Sequence, residues 1–467
     1  MSSFHEPITA LAAGVRGGER TAAALVEESL ARIDAVNGRV NAFVALDADG
    51  AREQAAVIDA RVAAGEAVGP LAGIPIGVKD LEDAAGLPTT HGSASRRDVA
   101  PADRDSVLVA RLKAAGCVVV GKTNTPEHGT KAQSDNVLFG ATRNPWSLDR
   151  TPGGSSGGSG AAIAAGMVPL ATGSDGGGSI RIPSSLCGLT GLKPSLGRVP
   201  SGGPNPPGWL FLSTKGPMAR TVRDVVAALD AVVGPDPTDL HSLPHPDTSW
   251  AHVLDDLNPP RKVGWSPDLG YATVDREVLA ACEHVLEVLA GLGTEIVEVG
   301  PVFDADPVFD WLSIVAPANE RTLGHLRDTP AWDEVDPDFR FFADMALERF
   351  TSADVARGYD GAHRLNLRLV DVFHHAPVLL CPTVAGQTPF LGKNGGLVNG
   401  EESIGWVSMT YPFNLTRSPA GTVCAGFTAD HMPIGLQVVG PQHADQVVLR
   451  TLAVIEDALG LDTIAPL

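Results

Sequence analysis

Apolar residues recur at helical spacing along TAAALVEESLARIDAV (21–36) and again over 49–64, which predicts two amphipathic helices. At IPIGVKD (74–80) the period changes. A short apolar run ends in a polar turn there, as a buried strand does. Residues 105–115 return to helical spacing, and CVVVGKT (117–123) is a β-branched run suited to a buried strand. The alternation comes back with a helix over 275–292 and TEIVEV (294–299) after it. It comes back last in VLLCPT (378–383), IGLQVVG (434–440) and a helix over 444–459. Such alternation predicts an α/β fold, a sheet covered by helices. No repeat of fixed period interrupts it.

Two stretches break the pattern. Gly and Ser dominate 140–160 and 172–179, and PSGGPNPPG (200–208) can be neither helix nor central strand, because Pro lacks the amide donor. A Gly/Ser run is ordinarily a flexible linker. Here GSGAAIAAGMVPLATGSD sits inside the run and reads as a small-residue helix followed by a strand, both fit for close packing.

The chain has 467 residues, enough for two to four domains or one large α/β unit with its own core. Its 35 Lys and Arg against 55 Asp and Glu leave a net charge of −20. Such a surface repels phosphate backbones and anionic membranes, so neither nucleic acid nor membrane is expected as a partner. Five scattered cysteines with no CxxC pair read as reduced thiols of a cytoplasmic protein, with no zinc site. The start MSSFHEPITALAAGVRGGER lacks a basic segment followed by a sustained apolar run, so no signal peptide is expected.

Two motif matches fail on context. Gly116–Thr123 (GCVVVGKT) satisfies the phosphate-loop pattern, but Cys-Val-Val-Val belongs inside a strand and Asn124-Thr125-Pro126 follows where a helix should start. Gly154–Gly158 (GSSGG) satisfies GxSxG, yet turn-rich RNPWSLDRTP precedes it in place of a strand. None of the 13 histidines has a recognisable catalytic setting, and no cluster has metal-ligand spacing.

The segment GGSSGGSGAAIAAGMVPLATGSDGGGSIRIPSS, read from Gly153, is more specific. Ser179 follows Gly176, Gly177 and Gly178. Consecutive glycines let backbone amides converge on one point, and converging amides beside a hydroxyl make an oxyanion hole beside a nucleophile. Segment 153–184 resembles the signature of the amidase signature family of serine hydrolases along its whole length. GIPIGVKD (73–80), GKTNTPE (121–127), NPWSLDRTPGG (144–154), STKGPMARTVRD (213–224), YPFNLTRSPAG and MPIGLQVVG are similar to further family blocks, in the family's order.

That resemblance implies one large α/β domain over 1–467 with a mixed, twisted sheet flanked by helices. A helical region of about 1–65 would pack on a signature core of 73–225, and a variable pocket region would span about 300–410. It implies a Ser–cis-Ser–Lys unit: Ser179 as nucleophile, Ser155 as bridge after a cis Gly154–Ser155 peptide, and Lys79 as base. Gly176, Gly177 and Gly178 would supply the oxyanion hole, with Ser156, Asp175 and Arg181 in support. The chemistry fits these residue types. A serine hydroxyl needs a base, lysine is a base only when neutral, and the apolar run before Lys79 would lower its proton affinity by burial. No cofactor is required.

The resemblance implies amide hydrolysis through an acyl-enzyme, with esterase or carbamate activity through the same tetrahedral intermediate. The expected substrate is a small apolar or aryl amide, and the expected state a monomer or homodimer. The alternative is the glutaminase component of a tRNA-dependent amidotransferase, against which stand the charge and the absence of an acidic residue in WVSMTYPFNLT (406–416). A degenerate binding module is a third reading. Segments 200–212, 305–345 and 386–408 would wall the pocket, with Trp209, Phe211, Trp311, Trp332, Phe341 and Trp406 available to line it. Asp80 reads as a structural partner, Cys187 as core, and His91, His128, His374 and His375 as pocket wall or surface. Arg417 stands where the family pattern has glycine, and either restricts the pocket or faces solvent.

Overall fold

A computed structural model describes residues 3–204 and 206–467. Met1, Ser2 and Asn205 lie outside it, so the readings of the N-terminus and of 200–208 are tested only on their neighbours. The strands are β1 (Phe43–Leu46), β2 (Pro75–Lys79), β3 (Val118–Thr123), β4 (Leu170–Asp175), β5 (Thr190–Lys193), β6 (Thr214–Ala219), β7 (Lys262–Trp265), β8 (Glu295–Glu298), β9 (Leu379–Pro382), β10 (Gly396–Val398), β11 (Glu401–Ser403), β12 (Ala420–Phe427) and β13 (Pro433–Val439). The helices are α1 (Ile8–Arg16), α2 (Ala22–Val40), α3 (Ala48–Ala63), α4 (Val107–Ala114), α5 (Gly157–Ala164), α6 (Arg181–Leu186), α7 (Val222–Val232), α8 (Arg276–Gly291), α9 (Val308–Leu323), α10 (Pro337–Arg349), α11 (Ser352–His375), α12 (Pro412–Leu415) and α13 (Asp445–Leu459).

Eleven strands form one sheet in the order β1-β3-β2-β4-β6-β5-β12-β13-β9-β7-β8. β2 pairs in parallel with β3 and β4, and β7 with β8 and β9; the remaining pairs are antiparallel, so the sheet is mixed. Strands from both sides of 200–210 share this sheet. The chain before and after that segment therefore belongs to one domain, as expected.

Local chemistry explains the boundaries. Thr21 caps α2 by accepting from Ala24 N–H, and Asn41 ends it in the left-handed conformation at φ 55°. Asp275 caps α8. The small residues of α5 let it lie against β2 and β4, and α6 packs on β5, β12 and β13. These two short helices flank the strand ends that carry the polar residues of the site. A second apolar cluster, including Ile314, Leu365, Leu369 and Phe413, holds α9 and α11 against the far half of the sheet.

Candidate active site

β2 runs through Ile76 and Val78, both fully buried, and ends at Lys79, whose exposure is 0 %. Its backbone N–H donates to Thr172 Oγ1 on β4 at 2.9 Å, fixing the strand end. Lys79 Nζ reaches Ser155 Oγ at 2.8 Å, Ser156 Oγ at 2.9 Å and Ser174 Oγ at 3.0 Å. Three hydroxyls and no carboxylate surround the amine. Burial disfavours its charge and lowers its pKa to about 7, against the opposing pull of Glu82 and then Asp175.

The hydroxyls differ in what else they do. Ser156 Oγ donates to Ser174 O at 3.3 Å and accepts from Ser174 N–H at 3.3 Å, so it is occupied. Ser155 Oγ has Lys79 Nζ as its single partner among the described residues. A neutral amine has a lone pair, and Ser155 is free to donate to it. A cis peptide joins Gly154 to Ser155. Ser156 N–H donates to Ser179 O at 3.2 Å, which brings the 155–156 segment against Ser179. Ser179 is 8 % exposed, and its hydroxyl makes no hydrogen bond among the described residues.

The loop 175–181 is organised by Asp175 at the end of β4. Its carboxylate accepts from Gly178 N–H at 2.8 Å, Ile180 N–H at 3.2 Å, and Arg181 Nε and Nη2 at 2.9 and 2.8 Å. Burial alone would raise this carboxyl; Arg181, Lys193 and the Asn414 hydrogen bond together outweigh it and hold the group far below the usual range. Arg181 also binds Thr410 O, Gln437 Oε1 and Asn414 Oδ1 at 2.8, 2.6 and 2.7 Å, so the fully buried pair has no unmet donor.

Two side chains turn the glycine peptides. Trp311 Nε1 donates to Gly176 O at 2.9 Å, and Thr410 Oγ1 to Gly177 O at 2.6 Å. The N–H groups of Gly176, Gly177 and Ser179 donate to no protein group among the described residues. Gly178 departs from its expected place as an oxyanion donor: its N–H is held by Asp175, so it shapes the loop. Side chains are excluded from this loop. A Cβ on Gly176 would lie 2.5 Å from Trp209 Cε3, and one on Gly177 would lie 2.7 Å from Trp311 Cζ2.

Of the aromatic residues expected around the pocket, Trp209 and Trp311 adjoin the glycine loop. Their rings meet edge to face at 5.7 Å, and Tyr411, not anticipated, stacks on Trp311 at 5.6 Å. Trp209 Nε1 donates to Asn319 Oδ1 at 2.9 Å, tying the 208–211 loop to α9. Phe211 turns instead to His241, 4.5 Å away. Trp406 packs with Ile182, Leu186, Val384 and Val398 and is a core anchor of 2 % exposure. Trp332 lies against Arg327, and Phe341 is 60 % exposed.

Asp80 pairs with Lys122 at 3.1 Å and is structural, and Cys187 lies in the core. His91 and His128 stack on each other at 4.9 Å; His374 and His375 are exposed at the end of α11. The Arg417 side chain, at a residue with φ 61°, makes no hydrogen bond or ion pair among the described residues. Sequence reasoning missed Ser174, Thr172, Thr410, Asn414 and Gln437. A signal existed for two: Thr172 and Ser174 are polar residues two apart on a buried strand and so face one side together.

Comparison with known proteins identifies the family. The family model "Amidase" matches residues 24–449. The chain is 38 % identical over 455 residues to an acylamidase of Rhodococcus erythropolis, covering 96 % of this chain and 94 % of that one. It is 35 % identical to one component of the glutamyl-tRNA(Gln) amidotransferase of Salinispora arenicola, with 96 % of each covered. The crystal structure of a bacterial aryl acylamidase of the amidase signature family superposes with a TM-score of 0.92 at 28 % identity, over 99 % of both chains. A buried lysine among serines, on this fold and with this span of similarity, has one conclusion: the chain belongs to the amidase signature family and is a hydrolase of non-peptide carbon–nitrogen bonds in amides.

Proposed function

We propose that the protein hydrolyses a small aryl or apolar amide through a serine acyl-enzyme, with Ser179, Ser155 and Lys79 as the catalytic unit. The observation that carries this reading is the Lys79 amine, fully buried and hydrogen-bonded to serine hydroxyls and to no carboxylate among the described residues. Ser179 Oγ attacks the substrate carbonyl carbon. Its proton passes to Ser155 Oγ as the Ser155 proton passes to Lys79 Nζ. The free N–H groups of Gly176, Gly177 and Ser179 receive the oxyanion. The lysine proton then returns through Ser155 to the leaving nitrogen, the C–N bond breaks, and an ester to Ser179 remains. Water attacks that ester along the same proton path and releases the acid.

Trp209, Trp311 and Tyr411 support an aryl or apolar substrate group, since they offer ring faces beside the glycine loop. Esters and aryl carbamates should also react, because they share the tetrahedral intermediate. The partners of this reading are the amide and water, with neither nucleic acid nor membrane. Five cysteines without disulfides support a reducing cytoplasm, and no helix among the described residues is long and apolar enough to cross a membrane.

The test is a panel of aryl amides, aliphatic amides, esters, aryl carbamates and glutamine on the purified single chain, with a sulfonyl fluoride probe. Aryl amide turnover and a label on Ser179 are expected. Turnover of glutamine alone, and only with added partner proteins, would replace this reading by the amidotransferase one. A label on Ser156 would overturn the nucleophile.

A further inference from the structure

The surroundings of Lys79 contain an ion pair that the proton path does not use. Glu82 N–H donates to Lys79 O at 2.9 Å, so the turn after β2 holds Glu82 beside the lysine. The Glu82 side chain is 3 % exposed and pairs with Lys215 Nζ at 2.8 Å. Lys215 on β6 lies directly across from Ser174 on β4, and opposed residues of an antiparallel pair share a face. Ser174 Oγ bonds Lys79 Nζ at 3.0 Å. The contacts close a ring: Lys79 to Glu82 through the turn, Glu82 to Lys215 through the ion pair, Lys215 to Ser174 across the ladder, and Ser174 back to Nζ.

Of the other charged groups packed around this ring, Lys122 and Asp175 are ion-paired. β3 brings Lys122, bonded to Asp80, with Asp83 and Glu82 also acting on it. β4 brings Asp175, closed by Arg181 of α6. β5 brings Lys193, which faces Arg181, Asp175 and Asp445. Glu82 is thus the carboxylate acting on Lys79 whose ion pair is with Lys215, Lys122 acting on it without an ion pair. We propose that Glu82 and Lys215 form a positioning pair, in which Lys215 cancels the Glu82 charge at Lys79 and keeps the amine neutral in the resting enzyme. This rests on the reading of Lys79 as the base. Burial favours the neutral amine and Glu82 opposes it, in agreement with the ring.

The experiment follows kcat/KM against pH on the full chain with an aryl amide that it turns over. Lys215→Met leaves Glu82 uncancelled, and the acid limb should move up by about half a unit to one unit. Glu82→Gln keeps a hydrogen-bonding side chain opposite Lys215 and should move the limb down by a similar amount. The double variant should return close to the wild-type limb, and Lys215→Arg should hold it. A merely structural pair would lower rate and melting temperature without moving the limb. If Lys215→Met does not fold, Glu82→Gln and the charge-neutral double variant still decide the matter. An unmoved limb in Glu82→Gln overturns the proposal while Lys79→Ala still abolishes the limb. A limb that survives Lys79→Ala instead overturns the base assignment beneath it.

Discussion

Lys79 and Lys122 stand one residue out of step on neighbouring parallel strands, with Val78 opposite Lys122 and Lys79 opposite Thr123. The offset sends them to opposite faces of the sheet. Both are fully buried at 0 % exposure. What meets them differs. Lys79 finds three serine hydroxyls; Lys122 finds the Asp80 carboxylate at 3.1 Å, Thr89 Oγ1 at 2.9 Å and Pro88 O at 3.1 Å. Burial pushes both amines toward neutrality, and at Lys122 the adjoining Asp80 pulls back. In the proposed mechanism the same residue type in the same sheet is therefore a base on one face, while on the other it is one half of a buried ion pair. The deciding variable is the acceptor, carboxylate or hydroxyl, and not depth.

The largest effect that would break this comparison is at Lys79. Lys79→Ala should lower kcat/KM on an aryl amide by about 10²–10⁴-fold, the range for losing a positioned acid–base group. Folding should persist, since the change removes an amine whose charged form burial disfavours. The rate of the wild-type enzyme should rise with pH through about 7, as the free enzyme loses the lysine proton, and the variant should lose that rise. Wild-type amide hydrolysis with an unchanged profile would show that the hydroxyl-bound lysine is no more a base than its neighbour.

Lys122 should fail in the opposite manner. Lys122→Met strands the Asp80 carboxylate, 1 % exposed, with only the Thr90 hydroxyl and backbone donors at Thr90 and Gly92. Removing one partner of a buried pair costs about 3–5 kcal/mol of stability. Urea unfolding should show this loss, while kcat/KM of the remaining folded enzyme changes far less than in Lys79→Ala. A collapse of activity without loss of stability would place Lys122 in the chemistry.

How much of this was legible in the sequence follows the same division. The near half of the molecule, where apolar runs are uninterrupted, could be read as β2, β3, α2, α3 and α4, and the Gly/Ser signature marked the site loop. β6 could not be read, because Gly216 and Pro217 interrupt TKGPMA and Pro cannot donate to a ladder; pairing with β4 and β5 overrides that local preference. α9 was hidden by Pro317 in its interior. α11 carried a usable sign, the Thr351–Asp354 capping box before Leu365, Leu369 and Val372 at helical spacing. In the site, the glycine loop before Ser179 was legible because its glycines are local. The partners of Lys79 were only partly so, because Ser174 and Glu82 reach it through strand register and a turn. Trp406 misled for the reverse reason: an aromatic near the pocket in sequence lies in the core in space.

A third buried lysine sharpens the rule with the smallest effect. Lys193 ends β5 with 0 % exposure, and among the described residues its amine makes a single hydrogen bond, to Pro194 O at 3.1 Å. Asp445 is taken by Ser195 and Arg198, and Asp175 by Arg181. Burial and then the nearby Arg181 lower its pKa from 10.5 to about 7, as at Lys79, but no hydroxyl connects it to a reacting group. Between about pH 7 and 10.5 the unfolded chain binds a proton that the folded chain does not. This lysine therefore makes stability rise with pH across that window, and the contribution is lost as pH falls toward 7. Lys193→Met keeps the straight apolar stem and removes the titration. The variant should gain stability over wild type at pH 7, and clearly less at pH 10, in urea unfolding. Its kcat/KM profile should keep the acid limb of the wild type, because that limb belongs to Lys79. A variant that gains more at pH 10 than at pH 7 would mean that burial does not lower the proton affinity of Lys193; one that loses the limb would mean that a low proton affinity alone, without the hydroxyl partners, suffices to bring a buried lysine of this sheet into the reaction.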